Sequence, residues 1–169
     1  SVYGIKEEER VTEDLPLVPV SVYNKTKMVA ERVFLSFKEE MDIKCVRPAT
    51  VCGFSPRMRL DVSVNMLTYQ ALKNGKITVF GGNQTRPNIH IKDMIRAYEL
   101  LLSAKDEKIS GKIFNIGFEN KSVKELAEIV KNKVGDDVQL KMTETNDNRS
   151  YHISSEKIKR ELNFVCKYN

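Results

Sequence analysis

Tyr23-Asn24-Lys25-Thr26-Lys27 opens a stretch, Ser21 to Met41, whose apolar residues Val29, Val33, Phe34 and Phe37 recur at helical spacing. On a helix, positions i and i+4 share a face, so the Tyr23 phenol and the Lys27 ammonium are expected to point into one site. A cation beside a phenol favours the phenolate, which makes a tyrosine usable as an acid or base near neutral pH. Taken alone, a Y-x-x-x-K spacing also arises on ordinary helix surfaces. The residues around it have to decide between the two.

Working outward, strand and helix patterns alternate. Upstream stand Ser1-Val2-Tyr3-Gly4 and an acidic loop with Thr12-Glu13-Asp14 and Pro16. Downstream, Ile43 to Val46 reads as a buried parallel strand stopped by Pro48, and Gly53 to Arg59 as a loop. Asp61 is placed to cap a helix from Val62 to Asn74, with Gly75 at its C-cap. Ile77 to Phe80 is a strand ending in a Gly81-Gly82 turn, and Pro87 to Ile91 is a second extended piece. Asp93 is expected to open a helix from Met94 to Ala104, and Ile113 to Ile116 to form a strand between Gly111 and Gly117. Ser122 with Glu125 fits a capping box for a helix to Val134; Val138 to Met142 is a strand, and Ser155 to Leu162 a short terminal helix. This alternation predicts an α/β architecture.

The motifs then line up in a specific order. Ser1-Val2-Tyr3-Gly4 precedes Tyr23 to Lys27, and Arg47-Pro48-Ala49-Thr50-Val51-Cys52-Gly53 follows. Thr78-Val79-Phe80-Gly81-Gly82, Arg86 before Ile89-His90-Ile91 and Asp93, Phe114-Asn115-Ile116-Gly117, and Arg149-Ser150-Tyr151 complete the series. This order resembles the extended short-chain dehydrogenase/reductase family, specifically its NAD-dependent nucleotide-sugar epimerases and dehydratases. The resemblance implies the C-terminal part of a Rossmann-type doubly wound fold plus the smaller substrate-binding lobe. Residues 1–53 are then the remnant of a dinucleotide-binding domain, and residues 54–169 mainly the substrate lobe. No G-x-x-G-x-x-G follows a strand, so the cofactor-phosphate half is expected to lie outside this chain, and the chain alone is expected not to turn over. The catalytic Ser or Thr of the family would stand just ahead of Ser1, which does not inherit that role.

The same resemblance implies site residues. Tyr23 and Lys27 become the acid/base pair, with Tyr23, Lys27 and Pro48 near a bound NAD (or NADP). Thr50, Asn65, Thr78, Phe80, Arg86 and Arg149 face the nucleoside-diphosphate sugar, the two arginines as a diphosphate clamp suited by the planar guanidinium fork. Each has a bland alternative. Thr50 stands where the family has Asn and equally suits a turn; Phe80 equally suits a core; either arginine equally suits a surface. His90 has no second metal ligand at helical or hairpin spacing and reads as structural, and Asp93 as a helix cap. Epimerase, dehydratase and reductase outcomes stay open, as does a non-catalytic nucleotide-sugar binding module.

Composition narrows the partners. Lys and Arg number 28 against 23 Asp and Glu, a formal charge of +5, but the signs alternate, as in Lys6-Glu7-Glu8-Glu9-Arg10. Interleaved charge marks a solvated surface and argues against a nucleic-acid stripe. No run of about 18 apolar residues and no signal-peptide pattern occur, so no membrane span and a cytoplasmic location are expected. The three cysteines, Cys45, Cys52 and Cys166, are widely spaced and read as free thiols, with no metal site. A homodimer through the Tyr-containing helix is a further expectation from the family.

Overall fold

The computed structural model describes residues 2–6, 8–146 and 150–168. Helix α1 (Val22–Ser36) starts at Ser21, whose hydroxyl accepts the Asn24 N–H at 3.1 Å. It stops five residues before Met41. The Phe37 N–H bonds the Phe34 carbonyl at 3.0 Å, an i→i−3 tightening that closes the last turn. Ser36 Oγ adds a competing bond to the Val33 carbonyl at 2.8 Å.

Among the described residues, three small sheets carry the rest. Strand β1 (Lys44–Pro48) pairs in parallel with β5 (Lys112–Ile116), Lys44 opposite Lys112 and Pro48 opposite Ile116. Strand β2 (Thr50–Cys52) pairs in parallel with β4 (Thr85–His90), which pairs antiparallel with β6 (Glu119–Ser122). Strand β3 (Lys76–Phe80) pairs in parallel with β7 (Gln139–Thr143). The helices between them are α2 (Ser63–Asn74), α3 (Ile91–Ser103), α4 (Asp106–Ile109), α5 (Val123–Val134) and α6 (Glu156–Leu162).

Several expectations are corrected. β1 is half-buried rather than buried, because β5 is its one sheet partner among the described residues. α2 is capped by Val62 without a side-chain bond, since Asp61 is held instead by Arg59 at 3.0 and 2.7 Å. α3 begins at Ile91 and is capped by His90, whose Nδ1 accepts the Lys92 N–H at 3.1 Å. Asp93 does other work: it is fully buried and accepts the N–H groups of Lys167 and Tyr168 at 2.8–3.0 Å. β2, β6 and α4 were not anticipated, whereas the Ser122–Glu125 capping box and the left-handed Gly75 cap (φ 59°) occur as expected.

Among the described residues, two apolar cores result. One gathers Tyr3, Val11, Ala49, Ile89, Met94, Phe114, Ile116, Ile153 and Ile158 around β1, β5 and α3. The other gathers Leu67, Ala71, Ile77, Val79, Leu126, Ala127 and Val130 between α2, α5 and β3. α1 belongs to neither and contributes no buried residue. No helix among the described residues is long and apolar enough to cross a membrane.

Candidate active site

Where α1 meets the end of β1, Tyr23, Asn24, Lys27, Glu31, Arg47 and Pro48 line a cavity of about 440 Å³ together with Tyr3. Residues 23, 27 and 31 are four apart and so follow one helix face, each step drifting by about 40°. Lys27 Nζ lies 5.3 Å from the centre of the Tyr23 ring, placing a positive charge against the phenol. Both side chains are exposed, Tyr23 at 67%, so the phenol is open to a molecule entering the cavity.

Beneath this pair runs a polar chain, half-buried at Glu31 and Arg47 and fully buried at Tyr3 and Asn115. Arg47 grips Glu31 with both arms of its fork, Nε to Oε2 at 2.8 Å and Nη2 to Oε1 at 2.6 Å. Its Nη1 donates to Tyr3 Oη at 2.6 Å and to the Glu13 carbonyl at 3.1 Å. Tyr3 Oη donates onward to Asn115 Oδ1 at 2.7 Å, and the buried Asn115 holds the Val11 carbonyl and the Glu13 carboxylate. Burial opposes the charge on Arg47, yet its bonds to Glu31 and Tyr3 prevail and hold it above its ordinary value. Burial pushes the Tyr3 phenol up despite Arg47, and pushes up the neighbouring Cys45 thiol.

The remaining expected site residues lie elsewhere. Thr50 pairs with Asn88 across β2 and β4, and Arg86 stands two residues before Asn88, so Thr50 and Arg86 share a sheet face. Asn65 spends its amide on the loop, accepting from the Gly53 N–H at 2.9 Å and donating to the Arg59 carbonyl at 2.8 Å. Thr78 and Phe80 sit on β3, Phe80 half exposed. Thr50, Asn65, Thr78, Phe80 and Arg86 do not line the Tyr23 cavity. Arg149 lies outside the described residues. A second cavity of about 420 Å³, walled by Phe54, Leu72, Phe118 and Tyr168 among others, has no Lys or Arg in its lining. His90 lines it and stacks on Tyr168 with ring centres 5.4 Å apart.

Sequence reasoning passed over Tyr3, Glu31, Arg47 and Asn115. Two signals were available. Glu31 continues the 23, 27 spacing, and Arg47 is a charge inside an otherwise apolar strand, where it needs a partner.

Comparison with known proteins adds the following. Residues 1–117 match the model of the NAD dependent epimerase/dehydratase family. A putative UDP-arabinose 4-epimerase of Arabidopsis thaliana is 28% identical over 99% of this chain and 46% of its own length. The UDP-glucuronic acid 4-epimerase of Bacillus cereus, solved with UDP-glucuronic acid and NAD, superposes with a TM-score of 0.86 at 27% identity, covering 100% of this chain and 55% of that one. The dTDP-glucose 4,6-dehydratase of Bacillus anthracis, solved with NAD, gives 0.83 at 26% identity, covering 99% and 54%. The chain thus spans about half the length of the proteins it matches.

Proposed function

Because the chain belongs to the NAD dependent epimerase/dehydratase family, we propose that it carries the proton-transfer pair and the substrate side of a nucleotide-sugar epimerase or dehydratase. The observation that carries this reading is the convergence of Tyr23, Lys27 and Pro48 on one cavity at the C-terminal end of a parallel strand, the place where open α/β sheets put ligands.

The cavity suits the nicotinamide riboside end of NAD: its volume admits a ring and a ribose, and Lys27 offers donors to ribose hydroxyls. Nothing in the sequence supplies the glycine-rich loop that would cradle the pyrophosphate. When bound, NAD accepts and returns a hydride. Tyr23 takes the proton of the sugar hydroxyl as that carbon is oxidised to a ketone, and returns it on reduction. Lys27 places its Nζ against the phenol ring. An epimerase completes the cycle by reduction on the opposite sugar face, and a dehydratase eliminates water first.

Residues 54–169 supply mainly the substrate side. Thr50 and Arg86, on one sheet face, with Asn65, Thr78, Phe80 and Arg149, are assigned to the nucleoside-diphosphate sugar. A homodimer is assigned to α1, whose Val22, Val29, Val33 and Phe34 face solvent. The test is a resonance titration of the isotope-labelled chain with UDP-glucose and, separately, with NAD. The nucleotide sugar is expected to move the amides of Thr50, Thr78 and Arg86, and NAD those of Tyr23, Asn24 and Lys27. If both ligands leave every one of these resonances in place, the assignment fails.

A further inference from the structure

We infer that Glu31 and Arg47 are positioning residues: their part-buried, two-armed ion pair sets the rotation of α1 over β1 and so aims Tyr23 and Lys27 into their cavity. The functional meaning of that aim rests on the proton-transfer reading above; the mechanical claim does not.

Apolar packing constrains the rotation of α1 only in part: Met28, Ala30 and Leu35 are half-buried, none is fully buried, and the helix stands outside both cores. Glu31 is different. Its side chain is 11% exposed and that of Arg47 8% exposed, on a helix whose Val29, Val33 and Phe34 remain in solvent. A guanidinium fork on a carboxylate fixes distance and plane together, which a single contact does not. Because Tyr23, Lys27 and Glu31 follow one face, fixing the Glu31 azimuth fixes theirs.

The fork itself has no freedom to swing. Tyr3 Oη and the Glu13 carbonyl hold its third nitrogen, and the Arg47 carbon lies 4.8 Å from the Tyr3 ring centre. Tyr3 is 1% exposed and anchored by Asn115, which is fully buried on β5. A rigid line of contacts therefore runs from β5 through Tyr3, Arg47 and Glu31 to the helix. Apolar residues of similar size can replace a buried ion pair without loss of stability, but they carry no directional bond. Stability and aim are thus separable, and the experiment exploits that separation.

Nitroxides on Lys25→Cys, on exposed α1, and Glu99→Cys, on α3 of the first core, report the α1 placement as a distance distribution by pulsed electron resonance, in a chain with its native cysteines changed to Ala. The parent is expected to give one narrow distribution. Arg47→Met and the pair Glu31→Leu with Arg47→Met are expected to broaden it, the double variant melting no lower than the parent. Arg47→Lys is expected to restore part of the sharpness, since one ammonium cannot form the fork. A narrow distribution in the double variant would mean that packing sets the helix and would overturn the proposal. Unfolding of all three variants would make the pair a fold requirement and would overturn it equally. No ligand enters this measurement, so its failure and a failed ligand titration are read independently.

Discussion

Cys166 is held as a neutral thiol by its surroundings. Burial, reinforced by the Asp93 carboxylate, pushes its pKa up to about 11, and burial pushes Cys52 up as well. In the unfolded chain a thiol titrates near 8.5. Because the folded value is the higher one, this group contributes stability below about pH 8.5 and loses it as pH rises toward the folded value. Alkylation by iodoacetamide at pH 8, followed by mass spectrometry, is therefore expected to be slow at Cys166 in the folded chain and fast after denaturation. Equal rates would refute the environment described. Asp93 makes the companion case. Its buried carboxylate accepts from Lys167 and Tyr168 and pairs with Arg96 at 2.5 Å. Asp93→Asn removes the charge from these bonds and is expected to cost about 1.5–3 kcal/mol in urea unfolding, with residues 163–168 losing protection first. A variant as stable as the parent would show the tail to be held by other contacts. The residue was legible as polar at a helix start, with Arg96 three positions on, but the backbone groups it holds are 74 and 75 positions away in sequence, beyond the reach of any local pattern.

Elements with their own end signals were the legible ones. α5 carries the full Ser122–Glu125 box, and α2 ends at Gly75 in the left-handed region. Ser122→Ala is expected to destabilise the chain by about 1 kcal/mol, the usual cost of an N-cap. Thermal unfolding measures it, and an unchanged midpoint would remove the cap from the account. β2 and β6 were missed because three or four residues are too few to show a period of two, and their pairing is set by β4. α1 was read too long because Phe37 and Met41 continue its apolar stripe, yet that stripe meets no core to hold it helical. The site followed the same division. Tyr23 and Lys27 are local in sequence and were readable. Arg47 meets Glu31 16 residues away and Tyr3 44 residues away, so their network appears only in the folded chain.

Across the whole molecule, acid response and catalysis are the quantities to measure. The Ser122 backbone and hydroxyl hold Glu125 below its usual range, and Lys112 does the same for Glu161. Both folded values lie under the unfolded one of about 4.3, so their contribution is present above about pH 4.3 and is lost as pH falls through the folded values. Urea midpoints measured from pH 6 to pH 3 are expected to fall, and Glu125→Gln and Glu161→Gln together to flatten part of that fall; an unaltered slope would remove both groups from the acid response. The central proposal, that Tyr23 moves the proton, is tested most directly by kcat for nucleotide-sugar turnover in the whole protein. Tyr23→Phe keeps the ring over Lys27 and removes only the hydroxyl. The account predicts a fall in kcat of roughly 10²–10⁴-fold with nucleotide-sugar affinity nearly unchanged. A kcat close to that of the parent would contradict it.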